Sequence, residues 1–173
     1  KKYPKSSVLF NILGAILFKE NQLDEAIQYY NQSIKIDPNH AQTYNNLGTA
    51  FHKMDKTNEA IINFKKAIHL KDNFIESLFN LANVMFELGN FQEASLYFEK
   101  VAKIKPDFKM VFIILGKTYM ELAKIDKALD CMKIALKFNP SSAEIYNNLG
   151  LIYERLSEFD KSLLSFKKAI ELN

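Results

Sequence analysis

The pentapeptide YNNLG occupies residues 44 to 48 and returns at residues 146 to 150, 102 positions further on. Because 102 is three times 34, any true repeat should also show at intervals of 34. It does: Gly14, Gly48, Ala82, Gly116 and Gly150 fall in one column, preceded by Leu13, Leu47, Leu81, Leu115 and Leu149. Ala26, Ala60, Ala94, Ala128 and Ser162 form a second small column, and Tyr30, Phe64, Phe98, Met132 and Phe166 a large apolar one. All the prolines, Pro4, Pro38, Pro106 and Pro140, share one register, with Asp72 in the remaining place. A period held this way restricts the chain to stacked copies of one supersecondary unit, because a single unit cannot bury its apolar face alone.

Within a unit the apolar spacing is helical. Phe10, Leu13, Gly14 and Leu17, or Tyr44, Leu47, Gly48 and Phe51, follow i, i+3, i+4, i+7. A second stripe follows, as in Ala60, Ile61, Phe64, Ala67 and Ile68, separated from the first by a polar turn and closed by a proline that a helix does not cross. Each unit therefore reads as an antiparallel helix hairpin, and the fold class as all-α. Glycine inside a helix costs about 1 kcal/mol relative to alanine. Its recurrence predicts a close approach of the first helix to the small column of the second.

The 34-residue period, the Leu-Gly pair flanked by aromatic residues, the Ala and Phe columns and the closing Pro together resemble the tetratricopeptide repeat. The resemblance implies a right-handed α-solenoid of stacked antiparallel helix hairpins, with repeats at 7–40, 41–74, 75–108, 109–142 and a truncated one at 143–173, after a remnant at 1–6 of a preceding repeat. Both termini read as cuts in a longer array. Ala82, Ser162, Met132 and the pair Lys71-Asp72 depart from the pattern, and the last predicts a looser joint between the second and third repeats.

Composition narrows function mainly by exclusion. The chain is 48% apolar and 25% charged, the balance of a protein able to bury a core. Its net charge of +3 is spread along the length and includes one arginine, Arg155, so no basic stripe for nucleic acid is expected. The stretch Val8 to Phe18 is interrupted by Asn and Gly and falls short of the ~20 residues that span a bilayer. One cysteine, Cys131, makes no internal disulfide and is compatible with an intracellular setting. The first residues, KKYPKS, carry neither an initiator Met nor a signal peptide, so localisation stays open.

His40, His52 and His69 fall in unrelated columns, and Cys131 has no Cys or His partner at metal-binding spacing. No nucleophile with a base and no phosphate-cradling loop is present, so neither a cofactor nor catalysis is expected. The reading is a noncatalytic interaction module for a peptide or partner protein. Two alternatives stand beside it: the substrate-recruiting array of a larger glycosyltransferase or sulfotransferase, and a homotypic assembly part.

The side of the first helix opposite its apolar stripe carries Gln42, Asn45, Asn46, Thr49, His52 and Lys53 in the second repeat. The family resemblance implies that these columns line a concave groove. In the third repeat they read Glu76, Phe79, Asn80, Asn83, Phe86 and Glu87, and in the fourth Met110, Ile113, Ile114, Lys117, Met120 and Glu121. Phe79, Phe86, Met110, Ile113 and Ile114 make an apolar patch rimmed by charge, which fits a partner surface or a self-association surface. Asn46, Asn80 and Asn148 share one column, with Asn45 and Asn147 beside it, and a primary amide can grip an extended backbone whatever its sequence. Such a ladder is similar to that of O-linked N-acetylglucosamine transferases, although Ile12 and Ile114 interrupt it. The dicarboxylate clamp of chaperone adaptors finds no match. In its most favourable register Asn11 and Ala15, then Glu76 and Asn80, stand where cations and amides are needed.

Overall fold

The computed structural model describes residues 6–173, and the Pro4 column position lies outside them. Among the described residues the secondary structure is ten α-helices and no strand: α1 (Ser7–Lys19), α2 (Leu23–Ile36), α3 (Ala41–Lys53), α4 (Thr57–Leu70), α5 (Ile75–Glu87), α6 (Phe91–Ile104), α7 (Lys109–Glu121), α8 (Ile125–Phe138), α9 (Ala143–Arg155) and α10 (Phe159–Glu171). First helices thus begin every 34 residues, as the sequence period requires. The backbone divides into two compact units, one running to Val84 and the other starting at Met85, so that the division falls inside α5.

In the first unit α1 packs on α2 and α3 on α4, and α2 also lies against α3. Ala26 and Tyr30 of α2 meet Leu47 and Ala50 of α3 in a buried cluster, flanked by Leu17, Phe18, Ile27, Ile34 and Phe51. Ser33 adds a polar rivet, its hydroxyl donating to the Ser7 carbonyl at 2.8 Å and lying 2.9 Å from the Thr43 hydroxyl. In the second unit the hairpins are α7 with α8 and α9 with α10, and α6 packs on α7 as α8 does on α9. Val111, Leu115, Met132, Ile145 and Ile152 are buried there.

The recurring glycine has a specific neighbour. A Cβ built on Gly48 would lie 2.7 Å from the Phe64 ring and 3.2 Å from the Ala60 carbonyl oxygen; one on Gly14 would lie 2.6 Å from Tyr30 and 3.1 Å from the Ala26 oxygen. Gly116 faces Met132 at 2.7 Å and Gly150 faces Phe166 at 2.5 Å. The small column of the second helix sets the approach, as expected, but the large residue one turn further on takes most of the space. Ser162, which stands where the other repeats have Ala, uses its hydroxyl to donate to the Gly150 carbonyl at 2.9 Å.

All five hairpin turns share one device that the sequence shows at a single position. Asn21, Asp55, Gly89, Ala123 and Ser157, again 34 apart, have φ between 54° and 75°. The next residue donates to the carbonyl five positions back (Gln22 to Leu17, Lys56 to Phe51, Asn90 to Met85, Lys124 to Tyr119, Glu158 to Tyr153), which is the Schellman closure of a helix. Glycine occupies this left-handed site once; elsewhere the hydrogen bonds and packing hold other residues there. After α2, α4 and α6 the turn is also alike: Phe74 donates to Lys71 without a proline, just as Phe108 does to Lys105 and His40 to Asp37. The Lys71-Asp72 departure therefore leaves the backbone bond of that turn intact.

Gly48→Ala should lower stability by about 1 kcal/mol, since crowding against Phe64 outweighs the gain in helix propensity. In a Phe64→Leu background the same change should cost clearly less. Urea unfolding of the four variants measures the coupling, and equal costs in both backgrounds would show that the ring does not set the requirement.

Candidate functional site

Within each unit adjacent first helices touch through a step of 35 residues. In the first unit Asn46 Nδ2 donates to Asn11 Oδ1 at 2.9 Å and Lys53 Nζ lies 5.1 Å from the centre of the Phe18 ring. Asn80 Nδ2 donates to Asn45 Oδ1 at 3.1 Å, and Ser77 Oγ donates to the same oxygen at 2.9 Å. Gln42 extends the first rung by donating to Asn46 Oδ1 at 3.0 Å. The asparagines thus spend much of their hydrogen-bonding capacity on one another, joining α1 to α3 and α3 to α5.

This changes the placement of several expected surface residues. Asn45 is 6% exposed, inside its rung rather than open to a ligand. Asn148 is equally buried, and Met120 is buried as well, with Arg155 Nη1 donating to its carbonyl at 2.6 Å across the same 35-residue step. Helical stepping put these residues opposite the apolar stripe, but each first helix contacts neighbours on more than one side. Asn46, Phe79, Asn80 and Asn83 remain partly open in the first unit. In the second unit Phe86, Ile113, Ile114 and Lys117 are partly open and Met110 and Asn147 exposed. Phe86 packs edge-on against Phe91 with ring centres 5.2 Å apart.

The rung pattern breaks at Ile113. By the step that joins Asn46 to Asn11 and Asn80 to Asn45, Asn148 should meet residue 113, where an isoleucine offers no acceptor. Asn148 Nδ2 is indeed buried without a hydrogen-bond partner. Leaving such a donor unmet costs about 1–3 kcal/mol. What the replacement provides is an apolar wall: Met110, Ile113, Ile114, Ala135 and Ile145 line a hollow of about 440 Å³ together with Lys109, Lys117, Asn139 and Glu144. Lys117 Nζ is 2.5 Å from Glu144 Oε1 at its rim, and Lys109 Nζ lies 5.9 Å from the Phe138 ring centre.

Sequence reasoning found Met110, Ile113, Ile114 and Lys117 but missed Lys109, Asn139 and Glu144. Glu144 comes from the next repeat, 27 residues beyond Lys117, so no motif within one unit connects them. Among the described residues no group of His, Cys, Asp and Glu could hold a metal ion, and no helix is long and apolar enough to cross a membrane. His40 Nδ1 lies 2.6 Å from the Thr43 hydroxyl. Cys131 is buried, and burial first, then the charges of Asp130 and Glu99, push its thiol up to about 12.

A model of the tetratricopeptide repeat matches residues 14–55, and one described as the tetratricopeptide repeat protein 21 C-terminal ARM domain matches residues 37–173. The chain belongs to the tetratricopeptide repeat family. Its fold, an all-α solenoid of helix hairpins, recurs in solved structures. A MamA protein is 24% identical, with 98% of this chain and 93% of that one covered and a TM-score of 0.89. MamA 41-end from Desulfovibrio magneticus RS-1 is 19% identical, with 99% and 97% covered and a TM-score of 0.90. YrrB, described as a TPR protein with an unusual peptide-binding site, is 20% identical, with 98% and 87% covered and a TM-score of 0.89. Since 453 solved chains match, the likeness establishes the architecture and singles out no partner. The sequence matches no curated protein.

Ile113→Asn should restore an acceptor for Asn148 and raise unfolding free energy by about 1 kcal/mol, measured by urea denaturation; a loss of stability would refute the rung assignment. For Cys131, a folded value of about 12 against an ordinary value near 9 leaves only about one thiolate in ten thousand at pH 8. A disulfide-exchange reagent should therefore label the native chain far more slowly than the urea-unfolded one. Because the folded value is raised, its contribution to stability is complete below pH 9 and is lost as pH climbs toward 12.

Proposed function

We propose that this chain is a noncatalytic interaction module that holds an apolar side chain of a peptide or partner protein in the hollow beside Ile113. The observation that carries this is the joint one at Ile113: a buried amide left unmet where the repeat pattern would satisfy it, and an open apolar hollow in its place. Met110 is 55% exposed at the mouth and continues the apolar wall out to solvent, where a ligand side chain could cover it. Covering Met110 and Ile113 would contribute on the order of 1.5–3 kcal/mol each. The polar rim of Lys109, Lys117 and Glu144 supplies orientation, with the paired Lys117 and Glu144 able to exchange their mutual ion pair for contacts to a ligand.

The first unit contributes differently. Asn46, Asn80 and Asn83 are partly open, and the amide capacity that the rungs leave on Asn46 and Asn80, with the Asn83 amide, suits a main chain rather than a particular side chain. Family membership supports the class of function, and the peptide-binding site named for YrrB supports the kind of ligand.

Ile113→Asp should abolish capture of peptides selected from a displayed library while leaving helical content unchanged by circular dichroism. Ile62→Asp, at an exposed site on α4, should capture as the parent does. Undiminished capture by Ile113→Asp would remove the hollow from the binding site.

A further inference from the structure

The hollow beside Ile113 has charge of unequal kind along its length. Lys109 and Lys117 both line it from α7, eight residues and so about 12 Å apart along the helix. At the Lys117 end the ammonium bonds to Glu144, and the two charges cancel. At the other end no carboxylate among the described residues pairs with Lys109, which is exposed and lies over the Phe138 ring.

Lys109 also stands where a cation is least expected. It is the first residue of α7, and the N-terminus of a helix carries partial positive charge that favours anions. The start of α9 follows that rule, with Ser142 Oγ accepting from the Ile145 amide at 3.4 Å and Glu144 in the first turn. The start of α7 does not: Phe108 at its N-cap makes no side-chain hydrogen bond, and the first turn holds no acid. The repeat equivalents of Lys109 are Ser7, Ala41, Ile75 and Ala143, none of them charged, so this cation is particular to the hollow and stands outside any clamp column.

The surroundings have the same sign. Second helices end at the edge where first helices begin, so Lys103 and Lys105 around the end of α6 and Lys133 and Lys137 on the last turns of α8 border the start of α7. Lys105 Nζ lies 5.9 Å from the ring of Phe108, the residue before Lys109. These are five exposed lysines against one carboxylate in the same stretches, Asp107. The corner carries +4, more than the +3 of the whole chain. An apolar hollow with a neutral ion pair at one end and an unpaired basic corner at the other is complementary to a segment with one acidic flank.

We propose that the occupant of the hollow is a protein segment in which an apolar anchor is flanked on one side by Asp or Glu, the carboxylate meeting Lys109 at the start of α7. The inference rests on the hollow being the binding site and adds the charge of the partner and its orientation: the acidic flank lies toward the ends of α6 and α8, and the other flank passes the Lys117 and Glu144 pair.

The test reads flank charge separately from anchor binding. Peptides blocked at both ends share one phenylalanine anchor and differ only in a single Glu, Gln or Lys placed a few residues to one side or the other, and fluorescence anisotropy follows their binding. On one side of the anchor the parent chain should bind the Glu peptide about fivefold or more tighter than the Gln peptide, and the Lys peptide more weakly than either. High salt should narrow the difference. Lys109→Glu, an exposed change that suits a helix start, should reverse the order, whereas Lys66→Glu, the same change of charge on α4 in the first unit, should leave it alone. Ile113→Asp should weaken all three peptides. Equal binding of the three by the parent, still lost in Ile113→Asp, would keep the hollow and overturn the acidic flank, as would an order unchanged in Lys109→Glu. Binding indifferent to Ile113→Asp, or no binding of any peptide, would remove the hollow itself and this inference with it.

Discussion

The fold depends on one contact repeated along the chain: a large apolar side chain from the second helix of a hairpin set over a position without a Cβ on the first. Tyr30 over Gly14, Phe64 over Gly48, Met132 over Gly116 and Phe166 over Gly150 leave less than 3 Å for the missing atom. The contact fixes how closely the two helices approach, and with that distance fixed the apolar stripes of successive hairpins come into register. A glycine costs about 1 kcal/mol in an isolated helix, which is tolerable here because the seated side chain is lost to solvent; Tyr30, Phe64 and Met132 are at most 1% exposed. Burial of that kind contributes about 1.5–3 kcal/mol per side chain.

A repeat fold separates what must recur from what need not. The core columns recur because each hairpin closes its neighbour. The faces joined by the 35-residue step are under looser control: Asn11 with Asn46 and Asn45 with Asn80 make polar rungs, while Ile113 leaves Asn148 without its counterpart. The polar rungs stabilise the stack, and the apolar exception opens a hollow. At Ile113 the structure bears an unmet donor where the equivalent rungs are satisfied.

Much of the architecture was legible from the residues. The 34-residue period, the helical spacing within each unit and the punctuation at Pro38, Pro106 and Pro140 lead to helix hairpins with first helices starting at Ser7, Ala41, Ile75, Lys109 and Ala143. The turns were less legible. Gly89 alone announces a left-handed residue, yet Asn21, Asp55, Ala123 and Ser157 adopt the same conformation, because the Schellman bonds and helix packing impose it on whatever residue stands there. At the candidate site the apolar residues of the fourth repeat were visible as departures from a polar column. The burial of Asn45, Met120 and Asn148 was not, because a helical wheel describes one helix and burial depends on the helices beside it.

The sequence by itself determined the repeating unit and its period, since helical spacing and chain breakers act within a few residues of one another. Tertiary structure decided which polar residues face outward. An amide at the edge of one first helix is exposed or buried according to the neighbouring helix, 35 residues away, and whether that helix offers an oxygen, as Asn11 does to Asn46, or none, as with Ile113 in the equivalent place before Asn148, is a property of the pair. Local sequence carries the pattern of each helix, but the free energy of a buried hydrogen bond belongs to two residues at once.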